Sequence, residues 1–318
     1  MRHAVLGAGG VGTFLGAALV RAGREVLLLM REESLARYGG VVHVESAVLG
    51  DFDAELPGAP TLEGPVDVIW VTTKAYDLAD ALSRVPLSAV DESTLVPLLN
   101  GLDHVELLRR RFGPSRVLPA AIAVESERVA PGVVRQLSGF AAVMLSPAPQ
   151  AEELRNELSE AGLAASIGES EAGVLWGKLA LLAPIALTTT LRGSDFGGVV
   201  ADPVWRRRLD GCVREVAAAA REDGVPLDPE GMIARLRNVP PGLRSSMQKD
   251  REAGKPTEID AIGGSVLRAA ARHGLNAPTT QALVDGVRAG EPYGLLPNAH
   301  AALIKRRERH AANGGAPN

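Results

Sequence analysis

Short, mostly apolar runs alternate with helix-length segments over the first half of the chain. Residues 4–6, 25–30, 66–71 and 94–99 are such runs, and they lead into Gly7, Arg31, Thr72-Thr73-Lys74 and Asn100-Gly101. Strands this uniformly apolar are covered on both faces, as in a parallel sheet, whereas a half-exposed strand alternates. The intervening segments are long enough for crossover helices, and the first, residues 11–20, is apolar apart from Thr13. This pattern predicts an α/β fold with a doubly wound parallel sheet. Residues 41–48 and 52–55 read as a hairpin or short strands, and 117–124 and 133–145 as further strands with a turn at Pro131-Gly132. A helix over 152–161, closed by Gly162, completes a first domain drawn here as 1–170.

The period then becomes helical. Helices are predicted over 172–183, 210–222 (stopped by Gly224), 257–273 (stopped by Gly274) and 279–289. An all-helical second domain, 171–318, follows, with a charged and then Gly/Pro-rich tail from about residue 305 that is expected to fray. Pro184 is expected to end or kink the helix that precedes it. No internal repeat or low-complexity linker is present.

Composition narrows the function classes. A net charge of -4 offers nothing to nucleic acid or an anionic membrane, and 3% aromatic residues supply no base-stacking platform. The single cysteine, Cys212, lies at helical spacing with Leu209, Val213, Val216 and Ala220, so it reads as a buried helix face. It excludes a disulfide framework and a cysteine metal site within one chain. The six histidines are scattered without paired spacing, so no metal site is expected. No G-x-S-x-G elbow supports a hydrolase. No uninterrupted apolar segment reaches about 18 residues, so no transmembrane helix is expected, and with no basic-then-apolar leader a cytoplasmic protein is the simplest expectation. The run Arg206-Arg207-Arg208 reads as a solvated helix face.

The first strand opens directly into Gly7-Ala8-Gly9-Gly10-Val11-Gly12, with Gly7, Gly9 and Gly12 at the G-x-G-x-x-G spacing. The first glycine allows a tight turn, the second lets a pyrophosphate approach the backbone, and the third lets the helix pack close to the sheet. The helix N-terminus then faces the phosphates with unpaired N–H groups. Strand before and helix after are the context this motif requires. Gly7, Gly9, Gly10, Val11 and Gly12 are therefore candidate contacts to a dinucleotide. Arg31, at the end of the second strand, stands where an acidic residue would bond a ribose hydroxyl in an NAD site, and offers a guanidinium to a 2′-phosphate instead. The expected cofactor is NADP(H), with Glu32 and Glu33 beside Arg31 leaving NAD open. Lys74 and Asn100 end two further strands on the same carboxyl rim, where ligands of such sheets bind.

Lys178 sits in an apolar helix, where a cation is costly to bury without a partner or a role; snorkelling to the surface is the alternative. Glu258 and Ser245-Ser246 follow later. A Lys, a Glu and a Ser gathered at a nicotinamide would suit carbonyl reduction, in which a positioned acid protonates the oxygen. Glu258 could equally be a helix-start carboxylate favoured by the dipole.

Over nearly its whole length the chain resembles the ketopantoate reductase (2-dehydropantoate 2-reductase) family. The resemblance is carried by the glycine turn, Thr73-Lys74, Leu99-Asn100-Gly101, Trp176-Gly177-Lys178-Leu179, Ser245-Ser246-Met247-Gln248-Lys249-Asp250 and Pro256-Thr257-Glu258-Ile259-Asp260. It implies a Rossmann domain, a helical domain, NADPH, and reduction of a 2-oxo acid between the domains, as in pantothenate biosynthesis. By motif position Lys178 matches the catalytic lysine, Glu258 the acceptor of a substrate hydroxyl, and Ser246 the substrate-binding serine. Lys74 and Asn100 match residues near nicotinamide and substrate, and Arg31 the 2′-phosphate contact. The resemblance also admits a homodimer. The chain departs from the pattern at Leu182 and Ala186, four and eight residues past the lysine, where the family has asparagines. Two amides that could bond substrate oxygens are replaced by an apolar face. Ketopantoate reduction, reduction of a less polar ketone, and a non-catalytic NADP(H) sensor therefore stay open.

Overall fold

The structure is a computed structural model that describes residues 1–290. The tail expected to fray from about residue 305 lies outside the described residues. The chain folds as two compact units. Met1–Ala180 with Ala220–Pro226 forms one, and among the described residues Leu181–Ala219 with 227–290 forms the other.

In the first unit, β1 (Arg2–Leu6) leads through α1 (Gly10–Arg21) to β2 (Glu25–Leu29) and the short α2 (Glu32–Leu35). β3 (Val41–Ser46), β4 (Phe52–Glu55) and β5 (Gly58–Ala59) follow, then β6 (Val68–Val71), α3 (Leu78–Ala81), β7 (Thr94–Pro97) and α4 (His104–Phe112). β8 (Ala120–Ala130), β9 (Val133–Leu145), α5 (Ala151–Glu160) and β10 (Ala164–Ile167) complete it, with the start of α6 (Glu171–Arg192). The first sheet has the order β5-β2-β1-β6-β7, and every pairing in it is parallel. Alternate residues face two cores. Val5, Leu28, Trp70 and Val96 look to one side, and Ala4, Leu29, Ile69, Val71 and Leu95 to the other. Coverage of both faces is what the uniformly apolar runs predicted.

The long strands of residues 120–145 and the hairpin at 41–55 form a second sheet instead of extending the first. Its order is β10-β9-β3-β4, with β8 pairing antiparallel to β9. The first core takes residues from this sheet, including Val42, Val44, Val134 and Val143, together with Phe14, Leu15, Ala17 and Ala18 of α1. α1 is thus buried between layers, which explains an apolar composition all round the helix.

The second unit carries the rest of α6, α7 (Phe196–Ala201), most of α8 (Pro203–Glu222), α9 (Pro229–Leu236), α10 (Ser246–Glu252), α11 (Ser265–Arg272) and α12 (Pro278–Arg288). Among the described residues it is helical only. Several boundaries differ from the sequence expectation. α6 continues through Pro184 to Arg192 rather than ending near 183. The hydroxyl of Thr188 donates to Pro184 O at 2.6 Å inside this stretch. α8 begins at Pro203, seven residues before the expected start at 210. Its early turns carry Arg206 and Arg207 exposed, while Arg208 is half-buried with its guanidinium 4.6 Å from the centre of the Trp205 ring. The helix expected over 257–273 begins at Ile259 and passes through a π-helical turn at Asp260–Gly264 into α11. Cys212 is fully buried, receives a hydrogen bond from Thr280 Oγ1 at 3.5 Å, and burial pushes its thiol up to about 12. It is a core residue, as its spacing suggested. α6 has the length and apolar composition of a membrane span, but 67% of its apolar window is buried inside the protein, as in a core helix.

Candidate active site

The glycine turn is built by close approach. Gly7 leaves β1 with φ +117°, a conformation L side chains rarely adopt, and a Cβ there would stand 3.0 Å from Thr73 N. A Cβ on Gly12 would stand 2.1 Å from Gly7 O and 2.3 Å from Thr72 Oγ1, so α1 reaches the strand only because this residue has no side chain. On the other side of α1, a Cβ on Gly10 would fall 2.3 Å from Ser126 O, and Ser126 Oγ donates to Gly10 O at 2.9 Å. β8 of the second sheet therefore clamps the turn. Gly9 differs from all three, since a Cβ there meets nothing within 4 Å. Its lack of a side chain answers no protein contact and leaves backbone open to a ligand. Thr73 Oγ1, beside Gly7, is buried without a hydrogen-bond partner. An orphaned donor next to open backbone fits a dinucleotide pyrophosphate at this turn.

The parallel register places the ends of β2, β1, β6 and β7 side by side. Arg31, Lys74 and Asn100 follow three of these ends, on the rim that carries the glycines. Arg31 Nη2 donates to Asp77 Oδ1 at 2.8 Å, and its Nε lies 3.8 Å from Asp80 Oδ2. Its charge therefore faces two carboxylates. The backbone holds the rim in place through Thr72 N to Leu6 O at 2.9 Å and Leu98 N to Val71 O at 2.9 Å.

Lys178 is half-buried on α6, in the first unit. Trp176, two residues earlier, is 1% exposed, and its Nε1 donates to Asp223 Oδ2 at 3.0 Å. Arg109 of α4 grips Glu171 through two bonds, of 2.9 and 2.5 Å, at the start of the helix. Near Lys178 stands His104, the first residue of α4 and the fourth after Asn100. His104 is buried and neither ring nitrogen has a hydrogen-bond partner. Burial first, and then the charge of Lys178, push its pKa down to about 4. Spacing does not single out His104 from the scattered histidines, because its burial depends on how α4 packs. Its place just after Leu99-Asn100-Gly101 was the available signal.

In the second unit, Ser245 caps α10, its Oγ accepting from Gln248 N at 3.1 Å and lying 3.0 Å from Thr189 Oγ1. That serine is structural, and Ser246, the first residue of the helix, is exposed. Glu258 is 4% exposed at the entry to the π-helical turn, where Ile262 N bonds its carbonyl at 2.9 Å. Of the departures, Ala186 is fully buried and Leu182 half-buried on α6. Among the described residues no group of His, Cys, Asp and Glu could hold a metal ion.

A doubly wound parallel sheet with a ligand-ready glycine turn on its rim, followed by a lysine-bearing helix and a helical unit, defines an NAD(P)-dependent reductase. The chain belongs to the ketopantoate reductase PanE/ApbA family, whose N-terminal model matches residues 3–150 and whose C-terminal model matches residues 172–291. It is 31% identical to the uncharacterized oxidoreductase YkpB of Bacillus subtilis over 88% of this chain and 96% of that protein. The crystal structure of 2-dehydropantoate 2-reductase from Geobacter metallireducens superposes with a TM-score of 0.83 at 26% identity, covering 92% of this chain and all of the other. D-mandelate dehydrogenase, in a ternary structure with NADH and anilino(oxo)acetate, shares the fold at a TM-score of 0.81 and 24% identity over 91% of this chain and 98% of its own.

Proposed function

We propose that this chain reduces a 2-oxo acid to the 2-hydroxy acid with NADPH, and that in the family's form of the reaction it converts 2-dehydropantoate to pantoate. The observation that carries this reading is Lys178, a half-buried cation on an apolar helix in the same unit as the glycine turn, near the buried His104. The bound nicotinamide supplies the hydride that reaches the carbonyl carbon. Lys178 Nζ hydrogen-bonds the carbonyl oxygen, draws electron density from the carbon and donates its proton as the alkoxide forms. The lysine is then reprotonated from solvent. Glu258 accepts from a substrate hydroxyl, Ser246 binds the substrate, and Asn100 and Lys74 hold it against the ring. Gly7, Gly9, Gly10, Val11 and Gly12 receive the pyrophosphate, and Arg31 supplies charge at the adenosine end. A cytoplasmic homodimer acting in pantothenate biosynthesis belongs to the same proposal.

Leu182 and Ala186 favour a second reading, a 2-oxo acid with a less polar side chain. A substrate oxygen left unpaired against this apolar face costs about 1–3 kcal/mol. D-mandelate dehydrogenase, with its aryl oxo-acid ligand, supports that such acids suit the fold. NADPH oxidation with 2-dehydropantoate, and with branched and aryl 2-oxo acids, separates the two. Lys178→Ala should abolish turnover and leave NADPH affinity within about twofold. Surviving activity would disprove the assigned chemistry. Tight NADPH binding without turnover of any acid would point to a sensor.

A further inference from the structure

α4 and the first turns of α6 meet along one face of each helix, all within the first unit. Glu171, Leu175 and Lys178 stand at positions i, i+4 and i+7 of α6, so they share a face. Each meets α4 at a different level. Arg109 Nη1 and Nη2 donate to Glu171 Oε1 and Oε2 at 2.9 and 2.5 Å, two parallel charge-assisted bonds. Leu175 packs against the core that holds Val105 and Leu108. The charge of Lys178 acts on the buried ring of His104, the first residue of α4. The levels run in opposite order along the two helices, so these stretches lie antiparallel.

This face connects Lys178 to the rim of the sheet. Asn100 follows β7, and α4 starts four residues after it. A rigid α4 therefore carries the position of the strand end across to α6. Apolar contact at Leu175 is non-directional and leaves the helix free to roll or slide. A planar guanidinium bonded twice to one carboxylate fixes both distance and rotation. Arg109 is 29% exposed and Glu171 36%, so water screens the pair less than one in open solvent. Trp176 Nε1, bonded to Asp223 Oδ2 at 3.0 Å, holds the same turns from another side through the segment Ala220–Pro226.

We propose that Arg109 and Glu171 are positioning residues for the reduction. Their pair sets the rotation and depth of α6 and so places Lys178 Nζ for the carbonyl oxygen. Neither residue touches the reacting atoms. The proposal rests on the reading of Lys178 as the proton donor and deepens it. A misplacement of about 1 Å at such a group costs up to about 100-fold in rate. A partly exposed ion pair adds little to folding, so the two effects are separable.

The proteins for the test are wild type, Arg109→Gln, Glu171→Gln, the double variant and Arg109→Lys. Glu45→Gln, which breaks the similarly exposed Arg135–Glu45 pair of the second sheet, is the control. Single-turnover rates are followed by absorbance at saturating NADPH with 2-dehydropantoate and with branched and aryl 2-oxo acids, beside KM for the acid and NADPH affinity. Arg109→Gln and Glu171→Gln should each lose about tenfold in rate, with KM and NADPH affinity within about twofold. Both should keep the wild-type Tm to within a few degrees. The double variant should be no slower than either single one, because the pair acts as a unit. Arg109→Lys, which keeps one charged bond, should recover part of the rate. Glu45→Gln should keep all of it. NMR of the histidine rings, without cofactor or acid, should show the His104 resonances moved in the pair variants and unmoved in Glu45→Gln. Wild-type rates in both single variants, an equal loss in Glu45→Gln, or a loss of rate with His104 unmoved overturns this inference and leaves the Lys178 reading intact. A wild type that reduces none of the acids, or a Lys178→Ala that still does, overturns both.

Discussion

His104 turns the surroundings of Lys178 into a measurable pH dependence. Its ring is 5% exposed and unbonded, and burial, followed by the Lys178 charge, pushes its pKa from 6.5 to about 4. The folded value lies below the unfolded one, so as pH falls the unfolded chain takes up the proton first. The contribution to stability is therefore whole above pH 6.5 and is lost as pH falls from there toward about 4. At about 1.4 kcal/mol per unit, the full loss is about 3 kcal/mol, and about 2 kcal/mol is lost by pH 5. His104→Leu removes this dependence, so between pH 7 and pH 5 its unfolding free energy should fall by about 2 kcal/mol less than that of wild type. Denaturant unfolding at the two pH values reads the difference, and NMR titration of the histidine rings reads the pKa directly. Lys178→Met should raise the His104 pKa by removing the like charge. His3, also buried and pushed down to about 4 mainly by that burial, serves as the internal control that Lys178→Met leaves unmoved. A His104 ring titrating near 6.5 in the folded protein, or identical pH profiles for wild type and His104→Leu, would refute the reasoning.

Three further outcomes follow from the geometry. Gly9→Ala meets no protein atom, so it should keep the wild-type Tm and lose about tenfold or more in NADPH affinity; Gly12→Ala, driven into Gly7 O, should lower stability by about 1–3 kcal/mol as well as affinity. Thermal melts beside fluorescence titrations distinguish the two. Leu182→Asn, which restores one family amide, should raise kcat/KM for 2-dehydropantoate by about tenfold relative to an aryl 2-oxo acid. Trp176→Phe should cost about 1 kcal/mol in denaturant unfolding, since it removes the hydrogen bond that the buried indole N–H donates to Asp223 Oδ2.

What was legible in the sequence depended on locality. The parallel strands could be read because being covered on both faces leaves its mark within each strand, and the glycine turn because its three constraints lie within six residues. The second sheet could not, since β3 finds β9 across some ninety residues through pairs such as Ser46 with Gln136, and nothing in residues 41–55 says which strand they will meet. The short helices α7, α9 and α10 escaped notice for the opposite reason. They are too brief for a hydrophobic period and are marked only by the caps Asp195, Asp228 and Ser245. The same division runs through the candidate site. Residue type and strand end pointed to Arg31 as the expected cation at the adenosine end, and the structure places it at the end of β2 facing Asp77 and Asp80. Its partner Asp77 lies 46 positions along the chain, so the sequence could give the sign of the charge but not whether it was already answered. Arg109 and Glu171 are a second case, since each looks like an ordinary surface charge until α4 and α6 set them against each other. Pairing is the property that a linear reading does not contain.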